Sequence, residues 1–195
     1  MNKWTDSEKQ ELEAASATLK GGKVLLYPTD TVWGLGCDAT NGAAVEKIFA
    51  IKQRAESKSL ILLVDGLDML QRYVDTIPDI AYELIEHSEK PITIVYPGAC
   101  ALPDNVFNKE DGSVAIRICS DPFCRTLIRG LRRPIVSTSA NISGEDAPST
   151  FATISPKILS AADYVVNYRR NDTRNLPPSS IIKLSIKGEI QILRK

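Results

Sequence analysis

The stretch KVLLYPTDTVWGLGCD, residues 23–38, joins a predicted strand to a loop rich in hydroxyl groups and glycine. Residues 23–27 are mostly apolar and favour a strand, which Pro28 ends because proline cannot donate a ladder hydrogen bond. Hydroxyls and glycines at a strand end allow a ligand to approach the backbone closely. The same residues are common in ordinary turns, so the loop indicates either a ligand site or a tight connection.

Strands and helices alternate along the rest of the chain, which favours an α/β fold. Apolar or β-branched runs predict further strands at 60–64, 92–96, 113–118, 134–138 and 163–168, and a terminal hairpin at 180–184 and 189–193. Helices are predicted from the capping box Thr5-x-x-Glu8 to Gly21, after the N-cap Asn41, at 67–74 and 79–87, after Asp121-Pro122, and over about 150–161. We therefore expect one domain over 1–195, a twisted mixed sheet of about seven strands with five or six flanking helices.

The overall composition excludes several classes of protein. The 195 residues carry 24 basic and 24 acidic side chains, so the formal net charge is zero, and 43% of the residues are hydrophobic. This balance is typical of a globular chain, not a disordered one or a coiled coil, and it argues against general coating of nucleic acid. The N-terminus is polar and the longest apolar run, residues 60–64, is too short to span a membrane, so we expect a cytoplasmic protein.

Histidine and cysteine are scarce, and this restricts the chemistry. The four cysteines (Cys37, Cys100, Cys119 and Cys124) form no C-x-x-C pair, so we expect buried thiols and no zinc site. The single histidine, His87, falls at a predicted helix end, where it complements the helix dipole. Without a second histidine, Ser-His-Asp and Cys-His hydrolases are disfavoured. Any chemistry therefore depends on Lys, Arg, hydroxyls, carboxylates and bound ions.

Two further clusters could bind phosphate. Lys52, Arg54 and Lys58 follow a predicted helix and can form a cationic clamp, although basic residues at a helix end also complement its dipole. The stretch STSANISG, residues 137–144, follows a strand and offers hydroxyls and an amide to phosphate oxygens or a magnesium shell. The chain contains neither a P-loop motif nor a G-x-G-x-x-G fingerprint.

The order of these motifs is more specific than any one of them. PTDTVWGLG, K-x-R, the VAIRI strand and STSANISG occur in sequence, followed by PSSII at 178–182 and ILR at 192–194. Together they resemble the YrdC-like family of threonylcarbamoyl-AMP synthases over about residues 10–194, with Lys52/Arg54 and Ser139/Asn141 as the signature. The resemblance implies a YrdC-like fold with a concave, positively charged cleft, without the additional C-terminal domain of some relatives.

The resemblance also implies a reaction. Family members combine L-threonine, bicarbonate and ATP, with Mg²⁺ on the phosphates, into threonylcarbamoyl-AMP and pyrophosphate, and a partner transferase complex moves the group to tRNA. A carbamate oxygen attacks the α-phosphorus, so the protein positions the groups and neutralises charge without a histidine.

Individual roles follow from the same resemblance. The catalytic set is Lys52, Arg54, Ser139 and Asn141. The threonine pocket is Thr31, Arg117, Ser137 and Ser179, with Arg117 on the carboxylate. The ATP-binding set is Arg54, Lys58, Ser113, Ser139, Asn141, Ala147 and Arg194, with Lys52 also facing the phosphates.

This chain departs from the family pattern at several positions, and these leave alternatives open. Ala55 and Ser59 replace prolines, Lys58 replaces Asn, Ala147 replaces Ser, and Leu63 replaces a His near threonine. The last change leaves a paralogue with another amino-acid specificity as an alternative. A second alternative is a module that binds tRNA or double-stranded RNA without catalysis, although few aromatics are available for stacking. The charged stretch 169–180 is either a lid or a solvated loop.

Overall fold

The computed structural model describes residues 4–54, 60–174 and 176–195. The helices in this part of the chain are α1 (Asp6–Lys20), α2 (Gly42–Lys52), α3 (Leu67–Leu70), α4 (Asp79–His87), α5 (Pro122–Leu131) and α6 (Pro156–Ala161). The strands are β1 (Leu25–Tyr27), β2 (Gly34–Gly36), β3 (Ile61–Val64), β4 (Ile92–Tyr96), β5 (Val114–Ile118), β6 (Ile135–Ser139), β7 (Tyr164–Val165), β8 (Ser180–Leu184) and β9 (Ile190–Arg194).

The helix starts confirm the sequence signals. Thr5 and Glu8 form the predicted reciprocal capping box at α1. The side chains of Asn41 and Asp121 each accept a hydrogen bond from a backbone N–H in the first turn of α2 and α5. These caps satisfy N–H groups that have no partner within the helix, so they fix where each helix begins.

The nine strands form one mixed sheet in the order β7-β1-β2-β6-β3-β5-β4-β8-β9. Three pairs are parallel, namely β1 with β7, β3 with β5, and β4 with β8, and the other five are antiparallel. The mixed α/β sheet with flanking helices predicted from the sequence is therefore confirmed. Helices α3 and α5 pack on the central strands, and α1 packs on α5.

The main differences from the predicted elements lie in short segments. Strand β2 was predicted as a loop, because glycine has a low propensity for strands. The segment Gly-Leu-Gly is a strand in the structure because it pairs with β1 and β6. A Cβ on Gly36 would lie 2.6 Å from the Val136 carbonyl oxygen, so only glycine allows these strands to approach. The strand predicted at 163–168 is shorter in the structure, where it forms β7. The helix predicted at 67–74 is also shorter and forms α3. The predicted helix at 150–161 divides into a 3₁₀ turn, Phe151–Thr153, and α6.

The positions of the cysteines and of the single histidine can be compared with the predictions. Cys37, Cys119 and Cys124 are buried free thiols, as predicted, whereas Cys100 is only half-buried. His87 is the exposed last residue of α4, and its ring Nδ1 lies 2.9 Å from the Glu83 carbonyl oxygen, which confirms the helix-end prediction. Across the described ranges, no helix is both long enough and apolar enough to cross a membrane.

Candidate functional site

A cavity of about 370 Å³ lies on one face of the sheet, which we call the first cavity. Strands β5, β6, β8 and β9 contribute to its walls, together with the loop after β1. Alternation along β5 turns Ala115 and Arg117 toward it, whereas Ile116 faces the other side of the sheet. Its polar lining residues are Thr31, Arg54, Asn108, Ser113, Arg117, Ser137, Thr138, Ser139, Ser179, Lys183 and Arg194.

Positive charge converges on this cavity although the whole chain is neutral. Its lining includes Arg54, Arg117, Lys183 and Arg194, and none of its lining residues among those described is Asp or Glu. Burial lowers the pKa of Arg54 and, with the charge of Arg117, the pKa of Arg194. The concentration of four cationic side chains in one cavity favours an anionic ligand.

The two cations of the K-x-R motif, Lys52 and Arg54, lie in different places because of the conformation of Gln53 between them. Gln53 caps α2 in the left-handed conformation, with φ of 49°, and its N–H and that of Arg54 bond to the last carbonyls of the helix. The chain reverses at that point. Arg54 therefore reaches the first cavity, while Lys52 stays buried at the end of the helix with 2% of its surface exposed.

Lys52 joins α2 to the loop that follows β6. Its Nζ donates to the carbonyl oxygens of Ser139 at 2.6 Å and Asn141 at 2.8 Å, and the backbone N–H of Ser143 donates to the Lys52 carbonyl at 2.8 Å. We call these three contacts, which run in both directions between the helix end and the loop, the lysine clasp. Burial, and then the charge of Arg54, lower the pKa of Lys52 from 10.5 to about 8.

The loop at 139–145 is also closed by its own side chains. The Ser139 hydroxyl donates to the Asn141 Oδ1, and the Asn141 Nδ2 donates to the carbonyl oxygens of Ile142 at 3.1 Å and Glu145 at 2.6 Å. Asn141 therefore holds the loop shape rather than lining the cavity, and Ser139 is the member of this signature pair that does line it.

Arg117, in the floor of the cavity, belongs to a buried ion pair. Arg117 on β5 is 4% exposed, its Nη2 lies 2.9 Å from the Asp30 Oδ1, and its Nη1 donates to the Thr31 hydroxyl at 3.3 Å. Its Nε is buried without an acceptor among the described residues. Two guanidinium nitrogens are thus fixed in place while a third donor still needs a partner, an arrangement suited to a carboxylate.

The opposite wall is built from the terminal hairpin. The buried Ser179 shares a 2.8 Å hydroxyl contact with Thr93, and the Arg194 Nε donates to the Ser179 carbonyl at 2.9 Å. Lys183 on β8 forms an ion pair with Asp111 at 2.5 Å. These contacts place Arg194 and Lys183 on the same side of the cavity.

The structure brings most of the predicted site residues together. Those that line the first cavity are Thr31, Arg54, Ser113, Arg117, Ser137, Ser139, Ser179 and Arg194. Lys52 and Asn141 lie behind them in the lysine clasp, so a direct contact of either with phosphate stays a prediction. Ala147 is exposed and does not line the cavity. Lys58, Ala55 and Ser59 fall outside the described residues.

The arginines of the stretch at 169–180 are engaged elsewhere. Arg169 forms an ion pair with Asp121, Arg174 with Asp172, and Arg170 donates to the carbonyl oxygens of Val165 and Val166. None of these three lines the first cavity, to which this stretch contributes Pro178 and Ser179. The extra cavity charge comes from Lys183 instead.

Four polar residues of the site were missed as site residues, namely Asp30, Asn108, Thr138 and Lys183. Strand alternation from Ser179 through Ile181 to Lys183 could have identified Lys183, since all three line the cavity. Asp30 stood in the quoted loop, but its partner Arg117 is 87 residues away and no local signal connects them. Asn108 lies in an irregular turn, where its Oδ1 accepts from the Glu110 N–H, and no sequence pattern marks it.

Comparison with known proteins assigns the family. A family profile for Sua5, YciO and YrdC proteins, described as "Telomere recombination", matches residues 17–195. The chain belongs to the Sua5/YciO/YrdC family. A protein of Pseudoalteromonas translucida named threonylcarbamoyl-AMP synthase is 35% identical over 187 residues, covering 94% of this chain and 98% of that protein. One of the same name from Xanthomonas euvesicatoria is 36% identical over 183 residues, covering 92% and 96%.

Solved structures of the family share the fold. A structure of P. abyssi Sua5 complexed with L-threonine aligns with a TM-score of 0.79 and 27% identity over 91% of this chain, which spans 51% of that longer protein. The structure of E. coli YciO aligns with a TM-score of 0.82 over 96% of this chain and 89% of its own, at 22% identity, a likeness of fold alone.

Metal-binding side chains do not gather anywhere in the described part of the chain: no group of three or more His, Cys, Asp or Glu is placed to hold an ion.

Proposed function

We propose that this member of the Sua5/YciO/YrdC family synthesises threonylcarbamoyl-AMP from ATP, L-threonine and bicarbonate and releases pyrophosphate. The observation that carries the proposal is the convergence of Arg54, Arg117, Lys183 and Arg194 on one cavity that also presents hydroxyl groups. Two relatives that are about one third identical over nearly their whole length bear the name of this activity.

Arg117 and Thr31 supply the proposed threonine subsite. None of the described residues supplies an acceptor to the buried Nε of Arg117, and a substrate carboxylate satisfies it beside the guanidinium nitrogen already fixed by Asp30. The Thr31 and Ser137 hydroxyls line the same cavity and can orient the amino and hydroxyl groups of threonine. That a family structure was obtained with L-threonine supports this choice of amino acid.

Arg54, Lys183 and Arg194 supply the proposed polyphosphate subsite, with Ser113 and Ser139 as hydroxyl donors. Burial, and then the charge of Arg117, lower the pKa of Arg194, and a bound triphosphate supplies the opposite charge that this guanidinium needs. Since no described lining residue is a carboxylate, Mg²⁺ enters as part of the MgATP substrate, coordinated by phosphate oxygens.

The proposed reaction needs positioning and charge neutralisation more than proton transfer. The threonine amine adds to bicarbonate to give a carbamate and water. A carbamate oxygen then attacks the α-phosphorus, the bond from that phosphorus to the bridging oxygen breaks, and pyrophosphate leaves. Negative charge grows on the departing oxygen, so fixed cations such as Arg54 stabilise the transition state.

Lys52 acts in this scheme as a positioning residue. Its three donors hold the 139–145 loop, so it fixes Ser139 against the cavity rather than contacting substrate. The product, a reactive mixed anhydride, is proposed to pass to a threonylcarbamoyl transferase complex that modifies tRNA.

The amino-acid specificity needs its own measurement. Leu63 is buried on β3 and pairs in register with Arg117, so no polar side chain is offered at that position of the sheet. Threonine recognition then depends on Thr31, Ser137 and Arg117. Serine and valine are the informative competitors, because they remove the methyl group or the hydroxyl.

The test is pyrophosphate release from MgATP and bicarbonate, with and without each amino acid. We expect release to depend on threonine and to fall at least about 100-fold in Arg54→Ala, as is typical for a preorganised charge-stabilising group. Arg132→Ala is the matched control, since Arg132 is exposed and lies outside the cavity. Threonine-independent turnover of folded protein would contradict the proposal, as would full activity in Arg54→Ala. Salt-dependent RNA binding without turnover would favour the RNA-binding alternative.

A further inference from the structure

A second cavity of about 480 Å³ lies on the other face of the sheet. It faces the opposite way because strand residues alternate: on β5, Arg117 points to the first cavity and Ile116 and Ile118 point to the second. Helices α3 and α4 contribute Leu67 and Ile85 to its rim. Of the residues placed at the first site, Asp30 alone also lines it, through its position beneath Arg117.

The floor of the second cavity is apolar. It is formed by Ile94 and Tyr96 of β4 with Ile116 of β5, all buried, and by the half-buried Ile92 and Ile118. A volume of this size is in the range of about 300–1,000 Å³ that is usual for small-molecule sites, in which apolar walls surround a few polar groups. The apolar floor therefore favours a ligand with a hydrocarbon body.

The charged groups around this floor are not equivalent. Of the carboxylates, Asp30 is paired with Arg117 and Asp65 with Arg129. Glu89 and Lys90, of opposite charge, are exposed neighbours at the rim. Arg125 on α5 remains: its Nε is buried, and the described residues give it no acceptor.

A buried guanidinium nitrogen without an acceptor is costly, and a carboxylate satisfies it with strong, charge-assisted hydrogen bonds. We propose that the second cavity binds an amphipathic monocarboxylate, with its carboxylate on Arg125 and its hydrocarbon chain over Ile94, Ile116 and Ile118. The site is separate from the first cavity and needs neither ATP nor threonine.

The test is calorimetric titration of the full chain with sodium octanoate, in the absence of ATP and threonine. Octanamide has the same chain without the charge. We expect one octanoate site and at least about tenfold weaker binding of octanamide, because the charge-assisted hydrogen bonds are lost. Absence of octanoate binding, or equal binding of the two compounds, would overturn the proposal.

Two variants locate the site. Arg125→Gln is expected to weaken octanoate binding at least about tenfold, whereas Arg132→Gln, at the C-cap of the same helix and outside the cavity, leaves it unchanged. Ile118→Trp fills the cavity from its floor, leaves Arg125 intact and is expected to abolish binding. Unchanged octanoate affinity in Arg125→Gln or in Ile118→Trp, with thermal unfolding confirming a folded protein, would show that octanoate binds elsewhere and overturn the assignment.

Discussion

The two walls of the first cavity are held in different ways. On one side, the end of α2 and the 139–145 loop are joined by the lysine clasp, whose central side chain is 2% exposed. On the other, β9 is the edge strand of the sheet, and its Ile190 and Ile192 are 50% and 59% exposed. One wall is closed by buried hydrogen bonds, and the other presents its side chains to solvent.

This difference indicates a division of labour. Groups that stabilise a transition state are effective when they are already fixed, since no reorganisation is then needed during the reaction. The clasped wall carries Arg54 and Ser139, and hydrogen bonds hold the backbone of both residues in place. The hairpin wall carries Arg194 and Lys183, and strands at an exposed edge can shift at low cost. We expect the first wall to control turnover and the second to control nucleotide affinity.

The largest effect is expected from breaking the clasp. Lys52→Met removes the donors to two carbonyl oxygens in a buried site, so we expect pyrophosphate release to fall at least about 100-fold. The free energy of unfolding should fall by about 1–3 kcal/mol, as for other lost hydrogen bonds to charged groups. Steady-state kinetics and urea denaturation measure the two effects. Lys47→Met, an exposed change on the same helix, is the control and should alter neither.

A smaller effect is expected on the hairpin wall. Arg194→Ala removes one cavity cation and its bond to the Ser179 carbonyl, so we expect the KM for ATP to rise about tenfold with a smaller change in kcat. Lys183→Gln should raise it less, because Asp111 already neutralises part of that charge. A larger loss of kcat in Arg194→Ala than in Lys52→Met would reverse the assignment of the two walls.

A pH-dependent effect of a few-fold is expected at the clasped wall, from the titration of Lys52. The pKa of Lys52 is lowered to about 8, so the folded protein loses this charge as pH rises through 8, whereas the unfolded chain keeps it until about 10.5. The unfolded state then binds more protons, and this group's contribution to stability rises between those values. Turnover should fall as pH rises through 8, because the clasp then loses the charged donor that holds Ser139. Steady-state measurements of kcat at pH 7 and 9 should show this decrease in the wild type and not in Lys52→Met.

The smallest effect is expected at the exposed edge. Ile192→Thr keeps a β-branched residue in β9 and changes a side chain that is mostly in solvent. We expect the free energy of unfolding to change by less than about 0.5 kcal/mol and turnover to remain at the wild-type level. Urea denaturation and the pyrophosphate assay check both. A loss of more than about 2 kcal/mol would mean that this edge is covered by other protein.

Local signals in the sequence predicted most of the fold. Strand β4 was predicted with its observed bounds, since its run of apolar and β-branched residues is flanked by prolines. The helices that begin at Thr5, Asn41 and Asp121 were correct because each cap acts within three residues. Strand β2 was missed because its glycines are held by neighbouring strands and not by their own preference.

The site residues were predictable as a set, but not their arrangement. The family resemblance, carried by the order of motifs, implied site roles for Arg54, Arg117 and Ser139, which do line one cavity. That Lys52 turns inward depends on the left-handed conformation of Gln53, a non-glycine residue that gives no sequence warning. The Asp30–Arg117 pair depends on a sheet that joins distant segments.

The most direct test of the proposed activity is mass spectrometry of the nucleotide product formed from MgATP, L-threonine and ¹³C-bicarbonate. The proposed function predicts threonylcarbamoyl-AMP that carries one ¹³C atom, formed only when threonine is present and lost with Arg54→Ala. AMP or ADP without the label, or a labelled product that forms equally without threonine, would contradict it.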